Sequence, residues 1–458
     1  MTRQAMWPLC SALTCVLILL GGDGAQVRGP AVLVPGVEGA ADPRGLLEPP
    51  EPVDVEAVAP GFSDRSGWGE QWVIPVPNVY DVYREAVEQS QRIGPVDACG
   101  DYTQAILRNT AMQVNDADME ALIREQETVL AKLHEAAGMQ CLLPPAGLQR
   151  VSGMVTYDTG GPTHTGIRSL ARLLSAAAVL AARQGDTARA FSLVQDAYAM
   201  GAGYARGGNI VDSLVAGAVL AVTWRAESYV VAIATRPLDG YGPLVAQRRA
   251  RRGSLWALGD ILREEDRAAR MQVAAWNTEL PKDADLDQAN ALSDWEHRYY
   301  MDVIAEAQRP LWEADFPTCV ARGIADFKRV ARVHAFAPED ADEEAFVLHL
   351  DKVADRYRQT VALLSASELL AALEAHRASH GQYPDTLQGI APGILPDIPP
   401  DPWTGRAFLY RRTAPGAIVL YCTGPDQRDD GGEGDPVRPG EPDYVLCRIE
   451  RTAGSFLP

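Results

Sequence analysis

Ile167, Leu170, Leu174, Ala177 and Ala181 recur every three or four residues, Arg183-Gln184-Gly185-Asp186 breaks the rhythm, and Ala190, Val194, Ala197 and Tyr198 resume it. That period places each apolar set on one face of a helix. The Gly-Asp pair ends the first helix and starts the second, and small alanines let the two pack closely. An α-α hairpin with a buried seam follows from the pattern alone. From about 79 to 355 the helical period continues. It predicts one helix over Asp116–Ala136, one near Ile210–Ala234, and one over Tyr241–Trp276, with Pro237, Gly240 and Gly242 separating the last two. Residues 147–166 carry glycines and a proline that stop a helix, so they read as a loop.

The chain has 458 residues, enough for two or three domains with sizeable cores. Its net charge of −19 argues against nucleic acid or anionic lipid as the main partner, because both require a positive surface. The one dense basic cluster, Arg248, Arg249, Arg251 and Arg252, reads as a solvated helix face rather than a phosphate site. Ile210–Ala234 contains Asp212, Arg225 and Glu227, too many charges for a lipid-facing helix, and is expected to be buried.

The N-terminus has the layout of an export signal. Arg3 is followed by an apolar run from Leu9 to Leu20 and then by Gly21, Gly22 and Gly24. The run is shorter than the roughly 20 residues of a spanning helix. Residues 1–25 are therefore expected to be a removed signal, with a short membrane anchor as the alternative. Residues 26–77, rich in Pro, Gly and acidic side chains, read as a flexible linker, with order starting near Asn78. Five cysteines lie beyond the signal, and no CxxC or Cys/His spacing points to zinc. Cys422 and Cys447 each end a strand-like run. A disulfide across a small sheet and two buried apolar side chains are both open.

A last long helix is expected over Asp342–Ser379. It carries one stripe through Phe346, Leu350, Val353, Tyr357, Val361 and Leu364, and a second through Leu363, Ala366, Leu370 and Leu373. Either the buried face widens or the helix breaks near Ser365. Strands at Phe408–Tyr410 and Ala417–Tyr421 flank Pro415-Gly416, and Tyr444–Cys447 supplies a third. Alternation turns Ile418, Leu420 and Cys422 to the helix.

Gly381-Gln382-Tyr383-Pro384 after the helix, Asp401-Pro402-Trp403-Thr404-Gly405 before a strand, and LYCTGPDQRDDGGEGD over 420–435 occur in that order. Together they resemble the C-terminal part of the major pseudopilins of type II secretion. The likeness covers about a fifth of the chain. Thr404 is one residue inserted, and Cys422-Thr423-Gly424-Pro425-Asp426 stands where the pseudopilins usually carry Ser-Leu-Gly-x-Asp. No prepilin-peptidase pattern precedes it, which argues against a pilus subunit. The hairpin at 167–198 resembles, more weakly, a tetratricopeptide-type unit. The expected fold class is mainly α: a helical-repeat-like central domain over 78–340, and over 341–450 a pseudopilin-like α+β module of one long helix and a short antiparallel sheet, with a tail at 451–458.

Asp426, Asp429, Asp430, Glu433 and Asp435 crowd five carboxylates into ten residues. A hard divalent cation would relieve their repulsion, and calcium suits such oxygen ligands. The resemblance implies Asp426 and Asp435 as calcium ligands, with Asp430 between them as a further candidate. The EF-hand spacing fails at Arg428 and Val437, and a solvated Gly/Asp loop is the competing reading. His376 and His380, four apart, could share a metal, but histidines at a helix C-terminus also meet its dipole favourably, and that role is preferred.

Two functions from different classes stand. One is a non-catalytic exported envelope protein, a helical scaffold for a protein partner, touching membrane only through an uncleaved N-terminus and linked to secretion or surface assembly. The other is an exported hydrolase with a site assembled from distant residues such as Asp158, His164 and Glu265.

Overall fold

A computed structural model describes residues 51–62, 72–108, 115–151, 154–157, 161–234, 241–279, 286–334, 349–414, 416–432 and 444–450. The expected signal or anchor, the linker up to residue 50 and the C-terminal tail lie outside the described residues, as does Phe346. Among the described residues there are 13 α-helices and two three-stranded antiparallel sheets, so the chain is mainly helical with a small sheet near its C-terminus.

The predicted hairpin is α6 (Gly161–Arg183) and α7 (Thr187–Tyr204). Gly185 takes the left-handed φ of +85° that the turn requires, and Asp186 caps α7 by accepting from the Arg189 N–H at 3.0 Å. The next helix, α8 (Ile210–Ile233), packs against both. Gly201 of α7 permits this approach: a Cβ there would meet Leu220 Cδ2 at 2.8 Å. Outside α6 lie α2 (Val79–Ile93), α3 (Ala98–Leu107) and α4 (Asp116–Glu125). The single helix expected over Asp116–Ala136 is broken at Gln126, and α5 (Glu127–Ala136) follows. Gln126 is buried, and its Nε2 donates to Ser90 O at 3.3 Å and Gly94 O at 3.4 Å, satisfying carbonyls at the end of α2.

Tyr241–Trp276 is likewise two helices, α9 (Tyr241–Gly253) and α10 (Leu258–Glu279). The link between them carries Trp256, whose ring meets that of Trp72 edge-on at 4.6 Å. With α11 (Leu286–Glu306) and α12 (Phe316–His334), α10 encloses a second core built on Ile261, Trp295, Tyr299, Phe316 and Phe327.

Residues 147–166 are not all loop. Strands β2 (Leu148–Val151) and β3 (Met154–Tyr157) form a hairpin, and β1 (Glu51–Val53) adds to β2 as an edge strand. The expected linker therefore takes part in the fold from residue 51. A short helix, α1 (Val55–Val58), and Ala59 then pack on Ala268 and Met271 of α10. Pro52 is tolerated because β1 has a free edge.

The last helix, α13 (Leu350–His380), is unbroken, and the alternatives raised by its two stripes resolve into a widened buried face. Every residue from Ala362 to Glu374 is buried. Leu350 and Val353 join the second core, whereas Leu363, Ala366, Leu370 and Leu373 join the first. Gly381, at φ +77°, ends the helix. Beyond it, β4 (Leu409–Ala414), β5 (Ala417–Cys422) and β6 (Tyr444–Glu450) form the second sheet. Ile418, Leu420 and Cys422 face the first core, while Val419 and Tyr421 form a separate outer cluster with Val445.

A domain boundary at 340/341 does not separate the cores. Trp224 of α8 donates its Nε1–H to Leu446 O at 2.6 Å in a buried contact, and the inner face of the sheet shares one cluster with α6, α7 and α8. Although α6 and α8 are long and apolar enough to cross a membrane, both line this core, as the charges of α8 predicted.

Candidate functional site

The Gly-Gln-Tyr-Pro and Asp-Pro-Trp motifs have local structural causes. Tyr383 is buried, with its hydroxyl on the Glu374 carboxylate, and Pro384 O accepts from Tyr410 OH at 2.8 Å. Asp401 accepts from the Trp403 N–H at 2.8 Å through Oδ1, and its carbonyl receives Gly405 N–H at 2.9 Å. Burial pushes the Asp401 carboxyl upward, against the hydrogen bond from the Trp403 N–H. Both motifs fix the chain path that delivers β4 and the loop after β5.

Within that loop, Asp426 Oδ1 accepts from Arg428 N–H at 3.1 Å, and Asp429 Oδ1 accepts from Tyr421 OH at 3.0 Å and Gly431 N–H at 2.9 Å. Two arginines hold the loop carbonyls, Arg411 on Gly431 O at 3.1 Å and Arg448 on Gly432 O at 2.9 Å. Asp430 is exposed. Asp435, the second calcium ligand implied by the resemblance, lies outside the described residues, together with Glu433. Among the described residues no group of three His, Cys, Asp or Glu side chains could hold a metal. Guanidinium groups take the Gly431 and Gly432 carbonyls, whereas the Asp426 and Asp429 carboxylates accept from neutral N–H and O–H donors.

A second polar centre forms at the N-terminus of α8. Asn209 caps the helix, its Oδ1 accepting from Val211 N–H at 2.9 Å and Asp212 N–H at 3.1 Å. The Asp212 carboxylate returns the contact, with Oδ2 accepting from Asn209 N–H at 2.9 Å, which completes a capping box. Asp212 Oδ1 lies 2.7 Å from His164 Nε2. Since the carboxylate only accepts, Nε2 carries the proton. Glu265 Oε2 accepts from Ile210 N–H at 3.1 Å. Residues 101 positions apart, His164 and Glu265, are thus gathered around one helix end, where two carboxylates meet the positive pole of the dipole. Asp158 lies outside the described residues.

Adjacent side chains extend this centre. Glu264 accepts from Ala146 N–H at 3.0 Å and pairs with Arg267, which also donates to Ala146 O at 2.8 Å. On α11, burial raises the Glu296 carboxyl to about 8, with the charges of Glu265 and Asp266 adding to the shift. Burial also raises Asp266, although His297 Nδ1 stands 2.8 Å from it and opposes the shift. The arrangement stores carboxylates and their partners. Among the described residues, no hydroxyl or thiol is hydrogen-bonded to His164.

The arginine cluster is not a solvated face. Arg248 is buried, donates Nη2–H to Glu227 Oε1 at 2.8 Å and stacks 3.8 Å from the Tyr198 ring centroid. Glu227 also accepts from Tyr198 OH at 2.7 Å and Ser367 OH at 3.1 Å, tying α7, α8, α9 and α13 together. Arg252 pairs with buried Glu368 at 2.6 Å, Arg251 donates to Gln195 at 2.7 Å, and Arg249 meets Asp397 at 2.6 Å. Only the apolar patterns of α8 and α13, each interrupted by a glutamate, hinted that a cation had to enter the core.

Cys422 and Cys447 are free buried thiols rather than a disulfide. Cys422 stands opposite Tyr444 and Cys447 opposite Leu420, so the register does not set them face to face. His376 and His380 occupy the last turns of α13, as expected. Comparison of the chain with protein-family models, curated proteins and solved structures returned no match.

Proposed function

We propose that the chain is a non-catalytic exported scaffold of the cell envelope, whose helical body holds a protein partner and whose pseudopilin-like end is built into that body. The observation that supports this is how its reactive side chains are used. His164 serves Asp212, Glu265 serves the α8 backbone, His297 serves Asp266 and Glu227 serves three partners. Hydrolytic groups have to remain available to substrate, whereas these brace helices. At the surface, by contrast, Val73, Ile74 and Val76 are 63%, 41% and 95% exposed beside buried Trp72. Three apolar side chains on one short segment suit a protein contact better than water.

A photo-crosslinking residue at Pro75, between Ile74 and Val76, should capture one defined envelope protein. V73S/I74S/V76S should abolish capture without altering the melting temperature. Capture that survives the triple variant refutes the assigned surface. The hydrolase reading is favoured by the 2.7 Å His164–Asp212 contact and by Glu296 at about 8. An ester, amide or glycoside turnover lost in His164→Ala but kept in V73S/I74S/V76S would replace the scaffold reading.

A further inference from the structure

Of the four arginines on α9, three meet a carboxylate: Arg248 with Glu227, Arg249 with Asp397 and Arg252 with Glu368. Arg251 meets a neutral amide instead. It donates Nη1–H to Gln195 Oε1 at 2.7 Å and has no carboxylate partner among the described residues. Asp196, next to Gln195 on α7, turns its oxygens to His134 Nδ1, at 3.1 and 3.0 Å. Charges withdrawn from water are normally paired, so a half-buried guanidinium facing only an amide calls for an explanation.

Arg248 and Arg251 are three apart on α9, and Gln195 and Tyr198 are three apart on α7, so each pair shares a helix face. Arg251 reaches Gln195 while Arg248 stacks on the Tyr198 ring, which sets the two guanidiniums side by side along α7. Burial and then the charge of Arg248 lower Arg251 to about 10, although Asp196, Tyr83 and Tyr198 act the other way. The same seam holds donors that find no acceptor. Arg248 is 1% exposed, and its Nε and Nη1 are buried without a hydrogen-bond partner among the described residues. So is Gln195 Nε2, on the same amide as the oxygen that Arg251 holds. Guanidinium and amide nitrogens only donate, so whatever satisfies these atoms must be an acceptor.

We propose that the seam between α7 and α9 binds one small monovalent anion, a halide such as chloride, held by Arg251, Arg248 and Gln195 Nε2. One negative charge matches the one guanidinium of the cluster that lacks a carboxylate. Enclosure sets the size. Arg248 is shut in between Tyr198 and Glu227, so a phosphate or an organic acid would have to part the helices. Half-buried Arg251 and Gln195 mark the approach from the surface. The ion would join α7 to α9 through a charge that the chain does not itself supply.

The test compares melting of the purified full chain in sodium chloride and in sodium gluconate, whose anion is too large for the seam, at equal ionic strength and pH. A ligand that binds only the folded state raises the melting temperature with its concentration, so chloride should stabilise and gluconate should not. Arg251→Met removes the charge that calls for the ion, and Gln195→Glu brings a carboxylate into its place. Each should weaken chloride binding by about tenfold or more, and Gln195→Glu should melt above the wild type in gluconate. Bromide soaked into crystals should give an anomalous peak between Arg248 and Arg251. Equal melting of the wild type in the two salts overturns the proposal, as does a chloride response that persists in both variants. Bromide peaks only elsewhere, with water oxygens on the Arg248 nitrogens, would assign the seam to solvent instead.

Discussion

Replacing Arg248 by Met is expected to destabilise the junction of α8, α9 and α13 severely. The guanidinium is buried against Glu227 at 2.8 Å, and Glu227 is itself almost wholly enclosed. Removing one partner of such a pair strands the other charge in a low dielectric, at a cost of about 3–5 kcal/mol. At roughly 2–4 °C per kcal/mol for a large domain, the melting temperature should fall by about 10 °C. The loss belongs to the stranded carboxylate and not to missing volume, because Met fills much of the space and packs on the Tyr198 ring. E227L/R248M should therefore melt above Arg248→Met. It still leaves the Tyr198 and Ser367 hydroxyls without their acceptor, at about 1–3 kcal/mol per buried group. Adding Tyr198→Phe should recover part of that. Hydrogen exchange of the α8 and α9 amides, read beside thermal melting, localises the effect even if the two cores open separately. Identical melting of the single, double and triple variants would refute the reasoning, since the order of the three follows only from a buried charge.

Other expectations are simpler to check. The Glu296 carboxyl rises from 4.5 to about 8 in the fold, so the folded state holds a proton that the unfolded chain releases. Its contribution should be most favourable below about pH 4.5 and decline until about pH 8, and Glu296→Gln should flatten that part of the melting-temperature profile. Burial pushes the Cys99, Cys141 and Cys447 thiols up to about 12. A thiol reagent at neutral pH should thus label these three slowly before unfolding and quickly after it, and a Cys422–Cys447 crosslink seen by mass spectrometry would contradict the free thiols. In the loop after β5, Arg448→Ala should expose residues 423–432 to protease, while chelator leaves wild-type cleavage unchanged; protection that appears only with added calcium would reverse this assignment.

The parts of the fold written in local pattern were legible before any coordinates. The α6–α7 hairpin follows from its apolar period and from Gly185-Asp186. The inward alternation of Ile418, Leu420 and Cys422 follows from the pleat, and Gly381 marks the end of α13. Local pattern misleads where a residue answers a distant partner. Gln126 breaks a good helix because carbonyls at the end of α2 need its amide, and Glu51–Val53 becomes a strand because β2 offers an edge. The candidate site was legible only in pieces. His164 and Glu265 could be picked out as titratable residues, but Asp212 counted only as a charge of a buried helix, and Asn209, which joins them at the α8 terminus, gave no signal.

By itself, the sequence determined the helices, the turns between them and the faces that must be buried, because these depend on side-chain period and on backbone preferences within a few residues. Only the tertiary structure decided that the C-terminal sheet shares a core with the helical body and that Arg248 lies inside it. Those outcomes depend on which buried charges and backbone groups find partners more than twenty residues away. Glu227, Tyr198 and Ser367 meet Arg248 and one another only when four helices have already closed. Linear order does not record that meeting, whereas the energy of burying a charge enforces it.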